Sequence, residues 1–422
     1  MSAQTPKPQT CCMDDHEPAS LTVEEALRRI GAAVAPVEGN ERCALRSALG
    51  RVLAEDIRSG IHVPAHDNSS MDGYAVAGAD LPTGGVRELK VIGTSWAGKP
   101  YPGRVQSGQC VRIMTGAVIP DGADTVVIQE RVERDGDTVR VGPGNAPGQN
   151  VRRAGEDIAA GQVALNAGKR LMPVELGLLA SLGIGEVKVR RRARVAFFST
   201  GDELRSIGEP LGPGEIYDSN RYTLYGMLRR LGVEVIDMGV VRDDREAIQR
   251  AFTEAAQMAD AVITSGGVSV GEADYVKETL ERLGKVNFWK IAMKPGRPLA
   301  FGQVRDALFF GLPGNPVSVM ATFYQFVQPA LHRLTGETGV HTMKVKARCA
   351  SRLKKAPGRV EFQRGILQAD ADGNLEVRST GEQGSGILSS MSRANCFIIL
   401  PMECAAVEPG TLVDVQPFEG LV

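Results

Sequence analysis

A multidomain α/β protein is predicted, on three observations. The chain has 422 residues, more than one hydrophobic core organises at roughly 150 residues per domain. From residue 195 apolar strand-like runs alternate with helical periodicity, which predicts a parallel sheet flanked by helices. By contrast, residues 61–150 and 343–422 read as short β runs broken by turn residues, a β-rich domain and a small terminal β domain.

Residues 1–20 are polar and proline-containing and are expected to form a disordered lead that holds the adjacent Cys11 and Cys12. A helix begins at Thr22, where Thr22 and Glu25 have capping-box spacing and Val23, Ala26, Leu27 and Ile30 share one face. In the β-rich segment, strands are expected at 111–114, 125–129 and 138–141. Residues 173–181 read as a helix with proline in its first turn and Gly183 just past its end. The cluster Arg190, Arg191, Arg192 and Arg194 reads as solvated surface at a domain seam. In the alternating region, strands are expected at 195–198, 233–238, 261–264, 286–291 and 307–310, with helices at 221–231, 245–258, 275–283 and 317–334. A connector near 335–341 leads to the terminal β segment.

Charge and residue usage exclude several function classes. Lysine plus arginine total 49 against 50 acidic residues, so nothing global draws the chain to nucleic acid or an anionic membrane. The start lacks the apolar core of a secretory signal, and no later apolar run approaches membrane-spanning length, so a cytoplasmic protein is expected. Seven cysteines without a C-x-x-C pair fit reduced thiols. The histidines stand at 16, 62, 66, 332 and 341, which excludes a Ser-His-Asp triad inside 67–331. His62 and His66 have metal-ligand spacing for a helix, but Pro64 between them argues against a helix and hence against a metal site.

In open α/β sheets ligands bind beyond the carboxyl ends of the strands, and the loops expected there are polar or glycine-rich. They are Ser199-Thr200-Gly201-Asp202-Glu203, then Arg242, Asp243 and Asp244, then the run from Ser265 to Asp274, then Lys294-Pro295-Gly296-Arg297-Pro298, and Gly311-Leu312-Pro313-Gly314-Asn315-Pro316. Singly, each also reads as a tight turn, and Asp202 with Glu203 as a helix start. Together they offer carboxylates (Glu203, Asp243, Asp274) for a hard cation and Lys290, Lys294 and Arg297 for anions, a set suited to magnesium bridging a phosphate. Gly266 and Gly271 have Walker A spacing, but Glu272 occupies the lysine position and rules that motif out.

The runs DNSSMDGYA (67–75), RIMTGAVIPDGAD (112–124), RRAGEDI (152–158), STGDEL (199–204), SGGVSVGEADY (265–275) and GLPGNPVS (311–318) together resemble the MoeA family of molybdopterin molybdenumtransferases, to which the E domain of gephyrin is also similar. The resemblance covers nearly the whole chain. It implies insertion of molybdate into adenylylated molybdopterin with release of AMP, dependence on Mg2+, and a homodimer of multidomain subunits. It also implies an elongated discontinuous domain (21–60 with 151–192) interrupted by the β-rich insert (61–150), a molybdopterin-binding α/β domain (193–335) and a barrel-like domain (343–422). On this resemblance Asp72 and Thr115 reach the site of a second subunit, which Arg152 and Asp157 help to hold together. Glu203, Asp243 and Asp274 form an acidic, metal-holding set, and Lys290 and Lys294 a cationic one. Ser265, Gly266, Gly267, Pro313 and Pro316 shape the pterin and nucleotide pocket, and Arg364 and Ser385 hold molybdate. Partners implied are the molybdopterin adenylyltransferase and acceptor molybdoenzymes. Two alternative functions are an adenylyltransferase of the same sheet fold and a non-enzymatic, gephyrin-like scaffold.

The chemistry explains why such groups are wanted. Molybdate is a dianion that must approach a diphosphate-bearing pterin, and each pair of like unit charges at 4 Å costs about 4 kcal/mol at an effective dielectric near 20. Cations must offset that repulsion, while positioning replaces a strong base.

Overall fold

The computed structural model describes residues 20–266 and 275–418. The chain divides into two compact units, Arg42–Val189 and Met1–Glu41 with Arg190–Val422.

Within Arg42–Val189, residues on both sides of the β-rich insert share one core, made by Ala48, Leu53 and Ile57 with Ile158, Leu171, Leu179 and Val187. The helix Pro173–Ser181 forms as its proline and glycine signals predict, with Gly183 at φ +73, the left-handed turn that ends helices. The insert is a six-stranded sheet. Gly73–Val76 lies between Gln109–Ile113 and the edge strand Thr125–Ile128 and pairs antiparallel with both. Tyr74, Val76, Cys110 and Val127 fill one face of this sheet, and Ala75, Ile113 and Val126 the other, the alternation that a period of two dictates.

In the other unit, α1 (Val23–Ala33) opens with Thr22 Oγ1 accepting from Glu25 N at 3.2 Å. Only that half of the expected capping box forms, because the Glu25 carboxylate turns to Arg28 and Arg29. The family resemblance implied that α1 belongs with 151–192. Its apolar stripe Val23, Ala26 and Ile30 instead joins a core with Phe197, Leu224 and Leu331, because a helix with one apolar face packs wherever a complementary surface lies.

The central sheet runs in the order β2 (Glu234–Val241), β1 (Arg194–Thr200), β3 (Ala261–Ser265), β6 (Ala307–Leu312), β5 (Pro298–Val304), β4 (Gly284–Lys290). The strands β2, β1, β3 and β6 are parallel. The sheet is nevertheless mixed, since β5 runs antiparallel to both β6 and β4. Sequence reading had missed β5, an apolar Pro-Leu-Ala-Phe run that a two-residue turn joins to β6, with Arg305 at φ +53. β1 is buried along nearly its whole length, as a central parallel strand with two covered faces must be. Phe197 packs toward α1 and α2 (Ser219–Arg230), whereas Phe198 packs on Phe252 of α3 (Arg245–Met258) at 5.1 Å between ring centroids. The helix α4 (Tyr275–Leu283) lies with α3 on that second face. The expected helix 317–334 is α5 (Pro316–Thr322), a π-helical turn Phe323–Val327, and α6 (Gln328–Leu334).

The cluster at 190–194 is not plain solvated surface. Arg191 makes two 2.7 Å bonds to Asp260 and a third to the Glu38 carbonyl, tying the entry of β1 to that of β3.

The terminal segment is a closed barrel. Val345–Cys349 pairs with Leu375–Ser379 and Leu412–Pro417, and Val360–Ala369 pairs with Leu375–Ser379 and Cys396–Leu400. Pairing of Cys396–Leu400 with Leu412–Pro417 closes the ring, which removes exposed strand edges. Cys349 and Cys396 lie in its core as free thiols, and burial pushes the Cys396 thiol up to about 12.

Candidate active site

The strand order places β1 between β2 and β3, so the chain leaves β1 toward one side of the sheet and returns to its other side. That is a topological switch point, where a crevice opens beyond the carboxyl ends. A cleft of about 350 Å³ lies there, lined by Thr200, Gly201, Glu203, Asp243, Gly266, Arg297, Pro313 and Asn315 among others.

Each wall has a local reason. The loop after β1 does not start a helix at Asp202 and Glu203; it continues into a short strand, Leu204–Arg205, paired with Ile216–Tyr217. Of the adjacent acids after β2, Asp244 caps α3 by accepting from Ala247 N at 2.8 Å, which leaves Asp243 as the acid that lines the cleft. Gly266 has φ +91, and a Cβ there would stand 2.7 Å from the Thr200 carbonyl. Gly296, at φ +95, lies against Thr322, whose Oγ1 would be 2.6 Å from an added Cβ, so only glycine lets the loop bearing Arg297 sit down on α5.

Other expected residues are placed as follows. Ser265 is buried at the end of β3 and accepts from Asn220. Pro316 opens α5 directly after the cleft residue Asn315. Lys290 is exposed at the end of β4. Lys294 lies in a short strand beside the barrel, its ammonium 3.3 Å from Glu361, so its charge is shared with a barrel carboxylate. The Ser385 carbonyl accepts from Val317 N at 3.0 Å. Gly267 and Asp274 lie outside the described residues.

Arg364, expected to hold molybdate, is 1% exposed. Its Nε donates to Ser390 Oγ, Nη1 to the Gln383 carbonyl, and Nη2 to the carbonyls of Glu382 and Gly384. Burial without a carboxylate partner pushes its pKa down to about 10. The guanidinium braces the 382–384 turn because its planar fork of donors matches a ring of backbone acceptors.

In Arg42–Val189, Asp72 and Thr115 form one exposed group: Thr115 N and Oγ1 both donate to Asp72 Oδ1 at 2.7 Å. The Thr115 backbone N–H, helped by its hydroxyl, holds the Asp72 carboxyl below its usual value. Arg152 is exposed opposite Asn68, and Asp157 is anchored through its N–H to the Val63 carbonyl at 3.1 Å. Sequence reading passed over the neighbouring pair that joins these motifs, Arg153 and Asp67 at 2.7 Å, with Ala154 N also donating to Asp67. It also missed Asn220, whose signal was its place just inside the start of α2.

A metal is judged on the donor set. Among the described residues no three His, Cys, Asp or Glu side chains are grouped closely enough to hold an ion. Glu203 and Asp243 together suit Mg2+, which commonly takes one or two carboxylates and completes its shell with phosphate oxygens and water. No helix among the described residues is long and apolar enough to cross a membrane.

Carboxylates, an arginine and close-approach glycines at a switch point define a class: α/β enzymes that bind an anionic, phosphate-bearing ligand in the crevice of an open sheet. The comparisons narrow it. Residues 21–183 match the MoeA N-terminal region (domain I and II), 196–333 a probable molybdopterin binding domain, and 346–418 the MoeA C-terminal region (domain IV). A molybdopterin molybdenumtransferase of Haemophilus influenzae is 47% identical over 404 residues, covering 95% of this chain and 100% of that protein. One from Nostoc is 39% identical, covering 85% and 84%. The solved structure of a molybdopterin biosynthesis MoeA protein from Pyrococcus horikoshii OT3 superposes with a TM-score of 0.82 at 32% identity, covering 94% of this chain and 100% of that one. The chain belongs to the MoeA family.

Proposed function

We propose that this chain is an enzyme of molybdenum cofactor biosynthesis that inserts molybdate into adenylylated molybdopterin and releases AMP. The observation that carries the reading is the switch-point cleft, where Glu203, Asp243 and Arg297 meet glycine-rich loops. The similarity over the full length of a molybdopterin molybdenumtransferase supports it. That similarity disfavours an adenylyltransferase, which would need the sheet domain alone, and no feature of the cleft favours a scaffold.

Arg297 offsets ligand charge, and Lys290 and Lys294 add positive charge for molybdate. Ser265, Gly266, Gly267, Pro313 and Pro316 shape the walls around pterin and nucleotide. Glu203 and Asp243, joined by Asp274, are the candidates to hold Mg2+, which when bound would screen and polarise the diphosphate. Asp72, kept ionised by Thr115, orients the water that releases AMP, serving the cleft of a second copy in a homodimer that Arg152 and Asp157 help to build. Ser385 contributes to the molybdate end of the site. The residue division 21–60 with 151–192, 61–150, 193–335 and 343–422 belongs to the same reading, as do a cytoplasmic location and handover between the adenylyltransferase and acceptor molybdoenzymes.

One assay tests the proposal: purified protein, adenylylated molybdopterin, Mg2+ and molybdate, with AMP followed over time. Release that requires molybdate is expected. Consumption of ATP would reassign the chain to adenylylation, and neither result would leave the scaffold. Sedimentation at a mass near 45.1 kDa would refute the homodimer.

A further inference from the structure

Asn220 is 9% exposed and lies one residue inside α2, whose first turn is already capped by Asp218 Oδ1 accepting from Arg221 N at 3.1 Å. It is therefore not needed to start the helix. Its Nδ2 donates to Ser265 Oγ at 2.9 Å and to the Gly314 carbonyl at 2.6 Å. A carbonyl only accepts, so the Gly314 bond fixes which end of the amide points there.

The two acceptors belong to different elements of the cleft. Ser265 ends β3 immediately before the cleft glycine Gly266, while Gly314 stands between Pro313 and Asn315 after β6, all three lining the cleft. Gly266 N donates to the Leu312 carbonyl at 3.1 Å, a second cross-link between the same elements. The surroundings are more polar than packing requires: Asn220 Oδ1, Asp218 Oδ2 and Ser199 Oγ are buried without a hydrogen-bond partner, and such groups cost stability. A buried amide that spans two elements of a cleft, amid polar groups that do not help folding, is placed for the site.

We propose that Asn220 is a positioning residue, setting the spacing between the end of β3 at Ser265 and the loop after β6 at Gly314, and so the width of the cleft for the nucleotide end of the substrate. This rests on the functional reading above. The test is steady-state AMP release by the full-length protein with adenylylated molybdopterin, Mg2+ and molybdate. Asn220→Ala is expected to raise KM for the pterin nucleotide about tenfold, the scale of two lost hydrogen bonds, with a smaller change in kcat. Asn220→Asp is the sharper probe. At about pH 8 its carboxylate repels the Gly314 carbonyl, whereas on protonation it donates one hydrogen bond, so its KM should approach wild type as pH falls toward about 5.5. The KM of Asn220→Ala relative to wild type should stay flat over that range, and a residue that only stabilised the fold would yield no such difference. Should Asn220→Ala fail to fold, Asn220→Asp decides alone: recovery of KM as pH falls supports the tie and its absence overturns it. A folded Asn220→Ala enzyme with wild-type KM, or an Asn220→Asp enzyme without pH-dependent recovery, also overturns the proposal while the functional reading stands. A wild-type protein that releases no AMP refutes that reading itself.

Discussion

Two regions of this chain pair arginine with glycine-bearing loops and use the arginine in opposite ways. At the sheet edge Arg297 lines an open cleft with Glu203 and Asp243. In the barrel Arg364 is 1% exposed and points its donors at Ser390 and three carbonyls of its own chain. A place on the cleft wall puts Arg297 within reach of an anionic ligand. Where the chain's own carbonyls surround it, the same group becomes a brace.

The contrast can be broken by substitution. The largest effect is expected at the brace: Arg364→Ala removes a buried guanidinium and orphans its four acceptors, and should lower unfolding free energy by about 3–5 kcal/mol, read by urea denaturation, with Arg364→Lys intermediate. If Arg364→Ala kept full stability and only raised the molybdate requirement, the barrel arginine would belong with Arg297 after all. Glu203→Gln and Asp243→Asn should instead slow AMP release by about 100-fold, or roughly 2.7 kcal/mol, and leave the thermal midpoint within about 2 °C. A fall in midpoint comparable with that of Arg364→Ala would make the cleft acids structural.

The ion pair of Arg191 and Asp260 sharpens the comparison from the structural side. Burial opposes ionisation of Asp260, but Arg191 and the Arg194 N–H outweigh it and hold its pKa below the usual carboxylate value. A carboxylate with a depressed folded pKa adds stability above its unfolded pKa near 3.9 and loses it as pH falls through the folded value. Asp260→Asn should therefore cost about 1–2 kcal/mol at pH 7, and the gap to wild type should close below about pH 4. A gap that persists in acid would show that the pair does not carry it. The smallest effect is expected at Thr115→Val, which removes one of two donors to Asp72 Oδ1. The acid limb of kcat/KM should move upward by under about one pH unit; an unmoved limb would take Asp72 out of the titrating step.

Much of the fold was legible because it is written in local pattern. The expected helices 245–258 and 275–283 appear as Arg245–Met258 and Tyr275–Leu283, since amphipathic periodicity needs only near neighbours in sequence. The strand Pro298–Val304 was not legible, for its opening proline and the internal Gly302 mimic a loop until a partner on each side supplies the hydrogen bonds. Of the site, the loops that bear Glu203, Asp243, Gly266, Arg297 and Pro313 were found from the rule that ligands gather beyond strand ends. Asn220 was not, because an amide at a helix start has no pattern that says which elements it will join.

The sequence by itself determined the class of fold, most of the alternation of strands and helices and the loops able to meet an anion, all consequences of side-chain period and backbone freedom. Tertiary structure alone decided that α1 packs with the sheet domain, that Asp243 faces the cleft while Asp244 caps a helix, and that Arg364 is sealed inside its own loop. Burial and hydrogen-bond partners are set by residues distant in sequence, and it is burial that turns one side chain into a ligand-facing group and another of the same type into part of the frame.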